Sequence, residues 1–591
     1  MKIVRLDLTE KSAENFEFDD FEQGLLGGRM LGLGLIARNS SVRDPLDPES
    51  PLVVCVGSLA GTGFPLGNRL TMVFRSPQTG TVAWAQTGGY AAYELASLGI
   101  NALYITGRCE KLSTIIISEK GISFVDAEAF RGFGAVETCA VMRIAAGDAR
   151  ILTIGPAGER SYPIATVIND MGRSSGVRHG AGAVFGSKNI KAIVIKTSKR
   201  GGARPRNPLV FAQLLRKLKT KTEQSPLLNI EKGLLAVYGT AIAAEALAQN
   251  DAIPVKNYTF TTLENYERIG GKTLANTVLV SRLTCSMCPV SCRRETIGYG
   301  VRGEGPDYAQ ISSLGTNCYV LDHEKISYLN SLCYDAGVDP IEMGNTLAVY
   351  ADMSEKGYTE KPLRWGDFKT MSELVEKTAR GEDLGQVFAH GAAYTAKFFG
   401  DEYFAPSVKN ISIQNTDPRA EQAWGLINAV ESFGGGVHVW VYPTIVKSFE
   451  NLGVKTIYHT SQSINDIAET VYQKQVQVAM LDSLGVCAFS NLVFEVQDYV
   501  DGVSAFYGVK IDKETILGAG MNCMSIERYL NGLYGFGAGD DRLPKKFTET
   551  PLPSGKHSGN TCPIEELLKY YRKVADINTA SKIISNFPKL S

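Results

Sequence analysis

Three thiols fall within eight residues in Cys285-Ser286-Met287-Cys288-Pro289-Val290-Ser291-Cys292. This C-x2-C-x3-C spacing lets one loop wrap three corners of an iron–sulfur cube, with a fourth thiolate supplied from elsewhere. Cys487, in Asp482-Ser483-Leu484-Gly485-Val486-Cys487, is the candidate for that fourth corner. Two other readings compete. Thiols of an ordinary core rarely crowd so closely, and zinc lacks histidine partners at finger spacing. A [4Fe–4S] cluster on Cys285, Cys288, Cys292 and Cys487 is the chemistry the spacing favours. The other seven of the 11 cysteines (55, 109, 139, 318, 333, 523 and 562) are scattered and read as core.

Glycine carries a second signal. The 591 residues include 60 glycines, about one in ten against a usual ~7%. They concentrate in Gly57 to Gly67, Gly88-Gly89 and Gly172 to Gly186. Backbone without a Cβ can bring its N–H groups close to phosphates or flat polar rings. Taken singly, each also reads as a turn.

The elements that must position these groups change character along the chain. Leu52-Val53-Val54-Cys55-Val56, Ala102-Leu103-Tyr104-Ile105-Thr106 and Lys191 to Lys196 are apolar runs of strand length bounded by Gly or charge. The basic, Gly- and Pro-containing stretch Thr197 to Asn207 reads as a linker. Beyond it, apolar spacings of three and four predict helices around Leu209–Leu218, Ile326–Asp335, Asn345–Glu355 and Ile467–Leu484. Asp417-Pro418 marks a second boundary. The expected fold is α+β: a β-rich N-terminal base domain of two packed sheets, residues 1–203, followed by two mainly helical domains, 204–407 with the cysteine loop and 408–591 with Cys487.

Composition limits the partners. With 61 basic and 62 acidic side chains the net charge is −1, so nucleic acid is not expected. Met1-Lys2-Ile3-Val4-Arg5-Leu6-Asp7 breaks its apolar residues with charge, unlike a signal peptide. No stretch has the ~18 uninterrupted apolar residues of a spanning helix. The expectation is a cytoplasmic protein with no membrane partner, whose reduced thiols serve metal or redox chemistry.

The cysteines and glycine segments together resemble the aldehyde ferredoxin oxidoreductase family. The resemblance is carried in order by Ser76-Pro77-Gln78-Thr79-Gly80, Thr87-Gly88-Gly89-Tyr90, Ile154-Gly155-Pro156-Ala157-Gly158-Glu159, Gly182 to Asn189, Tyr238-Gly239-Thr240, Glu304-Gly305-Pro306-Asp307-Tyr308, Asp417-Pro418-Arg419 and Gly539 to Phe547. It implies a tungsten (or molybdenum) bis-pyranopterin beside a [4Fe–4S] cluster. Arg69 and Gly88 would contact one pterin, and Arg173, Ser174 and Gly176 would surround the phosphates, a task suited to the fixed donor fork of arginine. A magnesium ion between the phosphates would use Gln86, where the family can have Asn, and the carbonyl of Ser174. Tyr334-Asp335-Ala336-Gly337-Val338-Asp339 and Asp482 to Cys487 resemble the family's paired D-x-x-G-L-[DC] segments. Val338, Asp339, Asp482 and Val486 would then bond the pterin rings, while Tyr334 replaces the first acidic residue of its copy.

His438, after Gly434-Gly435-Gly436-Val437, matches the family's active-site histidine and could donate to a substrate carbonyl. Trp440 replaces a family lysine. The aldehyde oxidisers follow E-G-P-x-Y with a Glu, but Ala309 follows Tyr308 here. Loss of such a proton-transfer group typically costs ~10²–10⁴-fold, and Glu304, Asp307 and Tyr308 are the nearest substitutes. Tyr328 and Ser331 replace the Glu-x-x-His pair that bridges some family dimers through iron, so a homodimer would lack that bridge. The leading expectation is oxidation of a small-molecule aldehyde to a carboxylate, with electrons passing through the cluster to ferredoxin or a small iron–sulfur subunit. The alternatives are a low-potential reductase module acting on an aromatic or acyl substrate, and an electron-relay subunit with altered catalysis.

Overall fold

The computed structural model describes residues 1–18, 26–169, 178–199, 201–414, 416–435, 463–575 and 580–590. Its N-terminal part holds two sheets. The first runs β2-β1-β6-β3-β4-β5, from β1 (Lys2–Asp7), β2 (Ser12–Glu17), β3 (Leu52–Val56), β4 (Leu70–Arg75), β5 (Val82–Thr87) and β6 (Ala102–Thr106). β1 pairs with β6 in parallel, and the other pairs in this sheet are antiparallel. The second runs β10-β9-β11-β7-β8, from β7 (Ser113–Ser118), β8 (Gly121–Asp126), β9 (Arg150–Thr153), β10 (Ile168–Asn169) and β11 (Ile190–Lys196). The unbroken apolar runs of β3 and β6 are buried along their whole length, as a strand covered on both faces requires. Residues of both sheets meet in one core with helix α1 (Gly28–Asn39).

Helices dominate after residue 207. They include α2 (Pro208–Gln224), α3 (His323–Ala336), α4 (Pro340–Glu355), α5 (Gln422–Val430), α6 (Ile464–Leu484), α7 (Lys513–Leu533) and α8 (Ile564–Val574). The expected strands and helices form where their patterns place them. Asp322 caps α3 by accepting from the Glu324 and Lys325 N–H groups, and Ser463 caps α6 by accepting from Asp466 N–H. Both helices end on a left-handed glycine, Gly337 (φ 71°) and Gly485 (φ 74°), the ending that glycine allows without strain. No helix among the described residues is long and apolar enough to cross a membrane.

One element departs from the sequence expectation. β12 (Leu279–Leu283), β13 (Arg293–Gly298) and β14 (Val301–Glu304) form an antiparallel sheet inside the helical region. Arg282, Arg293, Arg294 and Glu295 dilute the apolar alternation there, so the period-two signal is weak. This sheet matters because its β12–β13 connection is the cysteine loop.

Candidate cofactor and metal site

Leu283 pairs with Arg293 across β12 and β13, so residues 284–292 close a hairpin. Within it Met287 (φ 54°) and Ser291 (φ 55°) are left-handed, and Thr284 Oγ1 donates to the Cys288 carbonyl at 2.9 Å. The buried Arg294 guanidinium donates to the carbonyls of Ser291, Leu235 and Ala236 at 3.0, 2.7 and 2.7 Å. That places a cation beneath the loop. Cys487, just past the end of α6, donates its N–H to the Leu66 carbonyl at 2.9 Å.

The structure brings the four predicted thiols together. Burial, and then the proximity of Cys285, Cys292 and Cys487, push the Cys288 thiol well above its usual value. Among the described residues, no three His, Cys, Asp or Glu side chains converge as around a single ion.

The cysteine loop is stapled to the base domain beside the predicted pterin contacts. Ser286 N–H donates to the Gly89 carbonyl at 3.0 Å, and Asn68 Nδ2 donates to the Ser286 carbonyl at 3.1 Å. Arg69 N–H donates to the Gly485 carbonyl at 2.9 Å. Arg69, Gly88-Gly89, the cysteine loop and the end of α6 therefore form one neighbourhood. Gly88 lies against Asn169, whose Nδ2 donates to its carbonyl at 2.6 Å. The Gln86 side-chain oxygen accepts from Arg69 Nε at 3.0 Å, and its amide donates to Thr71 Oγ1 at 3.2 Å. As a magnesium ligand, Gln86 would use the second lone pair of the oxygen that accepts from Arg69.

The two D-x-x-G segments occupy related places. A Cβ on Gly57 would lie 1.9 Å from the Gly485 nitrogen, and one on Gly155 would lie 2.6 Å from the Ala336 carbonyl carbon. Each left-handed helix end thus rests on a base-domain glycine, and a side chain at either position would force the backbones apart. Val338 and Val486 are fully buried, and their N–H groups close the helix ends on the Cys333 and Leu481 carbonyls at 2.9 Å each.

Arginines partner the two acids. Asp482 Oδ2 lies 3.2 Å from Arg29 Nη1, and Asp339 Oδ2 lies 2.5 Å from Arg178 Nε. Asp339 also caps α4, accepting from Ile341 N–H at 2.9 Å. Burial pushes Asp482 up to about 7 against the opposing pull of Arg29 and Arg69. Asp335 lies away from this pair and accepts from the Val136 and Glu137 N–H groups. The Tyr334 hydroxyl accepts from Gln310 Nε2 at 3.4 Å.

Arg29 and Arg178 were missed by sequence reasoning. Arg29 had a signal: it stands near the start of a helix that is otherwise apolar until Arg38, where an unpaired charge could not be buried.

Two substitutes for the family Glu are already engaged. Glu304 forms a buried ion pair with Arg293, Nε to Oε1 being 2.6 Å. Asp307 forms a capping box with Gln310 and accepts from Thr240 Oγ1 at 3.1 Å. Ala309 is half-buried, two residues before a π-helical stretch, Ile311–Thr316, a geometry frequent at functional sites. At the position of the iron bridge, Tyr328 packs edge-on to Tyr299 and Phe368, with centroids 5.7 and 5.8 Å away. Arg173, Ser174, Gly176, His438 and Trp440 lie outside the described residues.

A β-rich base with glycine seats for two helix ends, joined to a three-thiol loop that meets Cys487, suits an extended cofactor beside a metal cluster. The chain belongs to the aldehyde ferredoxin oxidoreductase family: residues 3–197 match its N-terminal domain, and residues 213–582 match its domains 2 and 3. It is 32% identical to the tungsten-containing aldehyde ferredoxin oxidoreductase of Pyrococcus furiosus, over 98% of this chain and 97% of that one. Identity to the Thermococcus kodakarensis protein of the same description is 31%, over 97% and 95%. The fold is also that of the active-site complex BamBC of benzoyl coenzyme A reductase, solved with 1,5-dienoyl-CoA. That likeness has a TM-score of 0.79 and 20% identity, over 98% of this chain and 94% of that chain.

Proposed function

We propose that this chain is a tungsten-pterin oxidoreductase that oxidises an aldehyde to a carboxylate. Its electrons would leave through a [4Fe–4S] cluster to ferredoxin or a small iron–sulfur subunit in the cytoplasm. The observation that carries this reading is the stapling of the cysteine loop to Gly89 and Asn68, next to Arg69. That arrangement holds the electron exit against the strands expected to contact the cofactor.

The donor chemistry fits both groups. Four thiols suit the cluster. Arg69 and the acids Asp339 and Asp482 suit the phosphates and ring nitrogens of a pterin, with magnesium held by Gln86 and Ser174. The bound metal would supply the two-electron redox chemistry that side chains cannot. The chain's own part is to hold the pterins at Arg69, Gly88, Arg173, Ser174, Gly176, Val338, Asp339, Asp482 and Val486, and to orient the substrate carbonyl through His438.

Ala309, together with the engagement of Glu304 and Asp307, favours one second reading, in which the same scaffold runs in the low-potential reductive direction on an aromatic or acyl substrate. A panel of aldehydes assayed with a viologen dye under anaerobic conditions separates the two. The expected outcome is aldehyde-dependent dye reduction by the wild-type chain, with Ala309→Glu changing the rate by no more than ~10²–10⁴-fold and not creating it. Dye-driven reduction of an aromatic acyl substrate without aldehyde oxidation would give the second reading. Activity in neither direction would overturn both.

A further inference from the structure

Arg29 is 2% exposed and faces three carboxyl groups. Glu527 takes the paired contacts, Nε–Oε1 at 2.7 Å and Nη2–Oε2 at 2.9 Å. Asp482 lies at 3.2 Å, and Glu431 is held off at 3.7 Å. Among the described residues, Arg29 is the one cation within 4 Å of any of these three carboxylates. Lys409 Nζ donates to the Glu431 carbonyl at 2.8 Å and pairs with Asp541 at 2.9 Å.

Glu431 is the least compensated of the three. Gln475 Nε2 donates to its Oε2 at 3.1 Å, and the Tyr571 hydroxyl fixes that amide by donating to Gln475 Oε1 at 2.6 Å. The buried Glu342 makes a useful contrast. It accepts from Ala392 N–H, Ser412 N–H and Ser412 Oγ at 3.0, 2.9 and 3.1 Å and lies 3.4 Å from Arg178. Burial raises both acids, but Glu342 has the hydrogen bonds to hold a charge and Glu431 does not.

Beside Glu431 is a cavity of about 90 Å³, lined also by Gln475, Glu527, Arg528, Asp541 and Tyr571, whose rim residues Gly537 and Ala538 are exposed. It is polar and large enough for water.

We propose that Glu431 is the internal proton-holding group of this enzyme, a neutral acid at pH 7 that exchanges its proton with water in this cavity. It answers charge changes at Asp482 through their shared partner Arg29. The chemical assignment stands on the cluster alone, whereas its purpose rests on the function proposed above. Aldehyde oxidation, RCHO + H₂O → RCOO⁻ + 3H⁺ + 2e⁻, sends its electrons to the iron–sulfur acceptor and must return its protons to water. The Glu431 O–H bond breaks with its proton passing to cavity water, and it re-forms with a proton from that same water as the charge at Asp482 changes. Arg29 cannot relay that proton. It couples the two carboxyls by charge.

The test is infrared difference spectroscopy of the full-length holoprotein, titrated with acid and base in H₂O and D₂O. The expected result is two protonated-carboxyl C=O bands at pH 7. One comes from Asp482, which burial pushes up to about 7; the other, from Glu431 facing the cavity, shifts promptly in D₂O and disappears as pH rises. Glu431→Gln loses the promptly shifting band and Glu342→Gln keeps it. A wild type with no promptly D₂O-shifting band at pH 7, or such a band that survives Glu431→Gln, overturns the proposal. Should Glu431→Gln not fold, Gln475→Leu decides instead: removing the amide donor shifts the band if Glu431 carries it, and an unshifted band overturns the assignment. A band lost in Glu431→Gln from a protein that oxidises no aldehyde would uphold the Glu431 assignment and remove only its purpose.

Discussion

Cys288→Ala is expected to empty the iron–sulfur site, with iron falling from about four per chain to trace levels. On the proposed function Cys288 would supply a metal–sulfur bond. Removing a residue that merely supports a ligand costs ~10–100-fold in metal affinity, and removing the ligand itself costs more. The loop has reasons to keep its shape without that thiol. The Thr284 bond goes to the Cys288 carbonyl, and the Ser286–Gly89 and Asn68–Ser286 bonds use backbone groups that the substitution leaves in place. The folded variant should therefore lose electron delivery to an iron–sulfur acceptor while keeping the circular dichroism of the wild type. Cys318→Ala is the matched control. Its thiol is fully buried and reaches the Ser313 and Gly344 carbonyls at 3.3 and 3.1 Å, so iron content should not change. Iron analysis and electron paramagnetic resonance of the three proteins check this, and full iron in Cys288→Ala would remove that residue from the cluster.

The second large effect is on stability. Arg29→Met should destabilise the fold by ~3–5 kcal/mol at neutral pH, the cost of breaking a buried ion pair by deleting one partner. Three carboxyl groups would remain, facing no cation within 4 Å among the described residues. The pH dependence has a definite sign. Asp482 is pushed up to about 7 in the fold, against ~3.9 in an unfolded chain. The folded state therefore binds the extra proton between those values, and this contribution is present below ~4 and lost as pH rises through 7. Deleting Arg29 raises the folded value of Asp482 and Glu431 further. The variant should therefore lag most at about pH 8 and recover toward wild type at about pH 5 as the acids take up protons. Thermal unfolding across that range tests it, and a variant matching wild type at every pH would mean that the cluster is not held by Arg29.

The cysteine loop stood out because its signal is local: three cysteines within eight residues need no knowledge of the fold. The helix ends were legible for the same reason, since Gly337 and Gly485 follow apolar helical runs directly. What could not be read were partners brought together by topology. Arg29 and Asp482 are separated by 453 positions, and Arg178 and Asp339 by 161. Nothing in a lone arginine names the acid it will meet. The β12–β13 hairpin was hidden by its own charges, because Arg293 and Arg294 are spent inward, on Glu304 and on the carbonyls beneath the loop. Ala309 stood out only through the resemblance, which implies an acid there. The engagement of Glu304 with Arg293 and of Asp307 in a capping box was visible only in the fold.

Elemental analysis of the anaerobically purified protein tests the central claim most directly. The account predicts about one tungsten or molybdenum per chain together with about four irons. Zinc alone, with neither tungsten nor molybdenum and no iron, would contradict it.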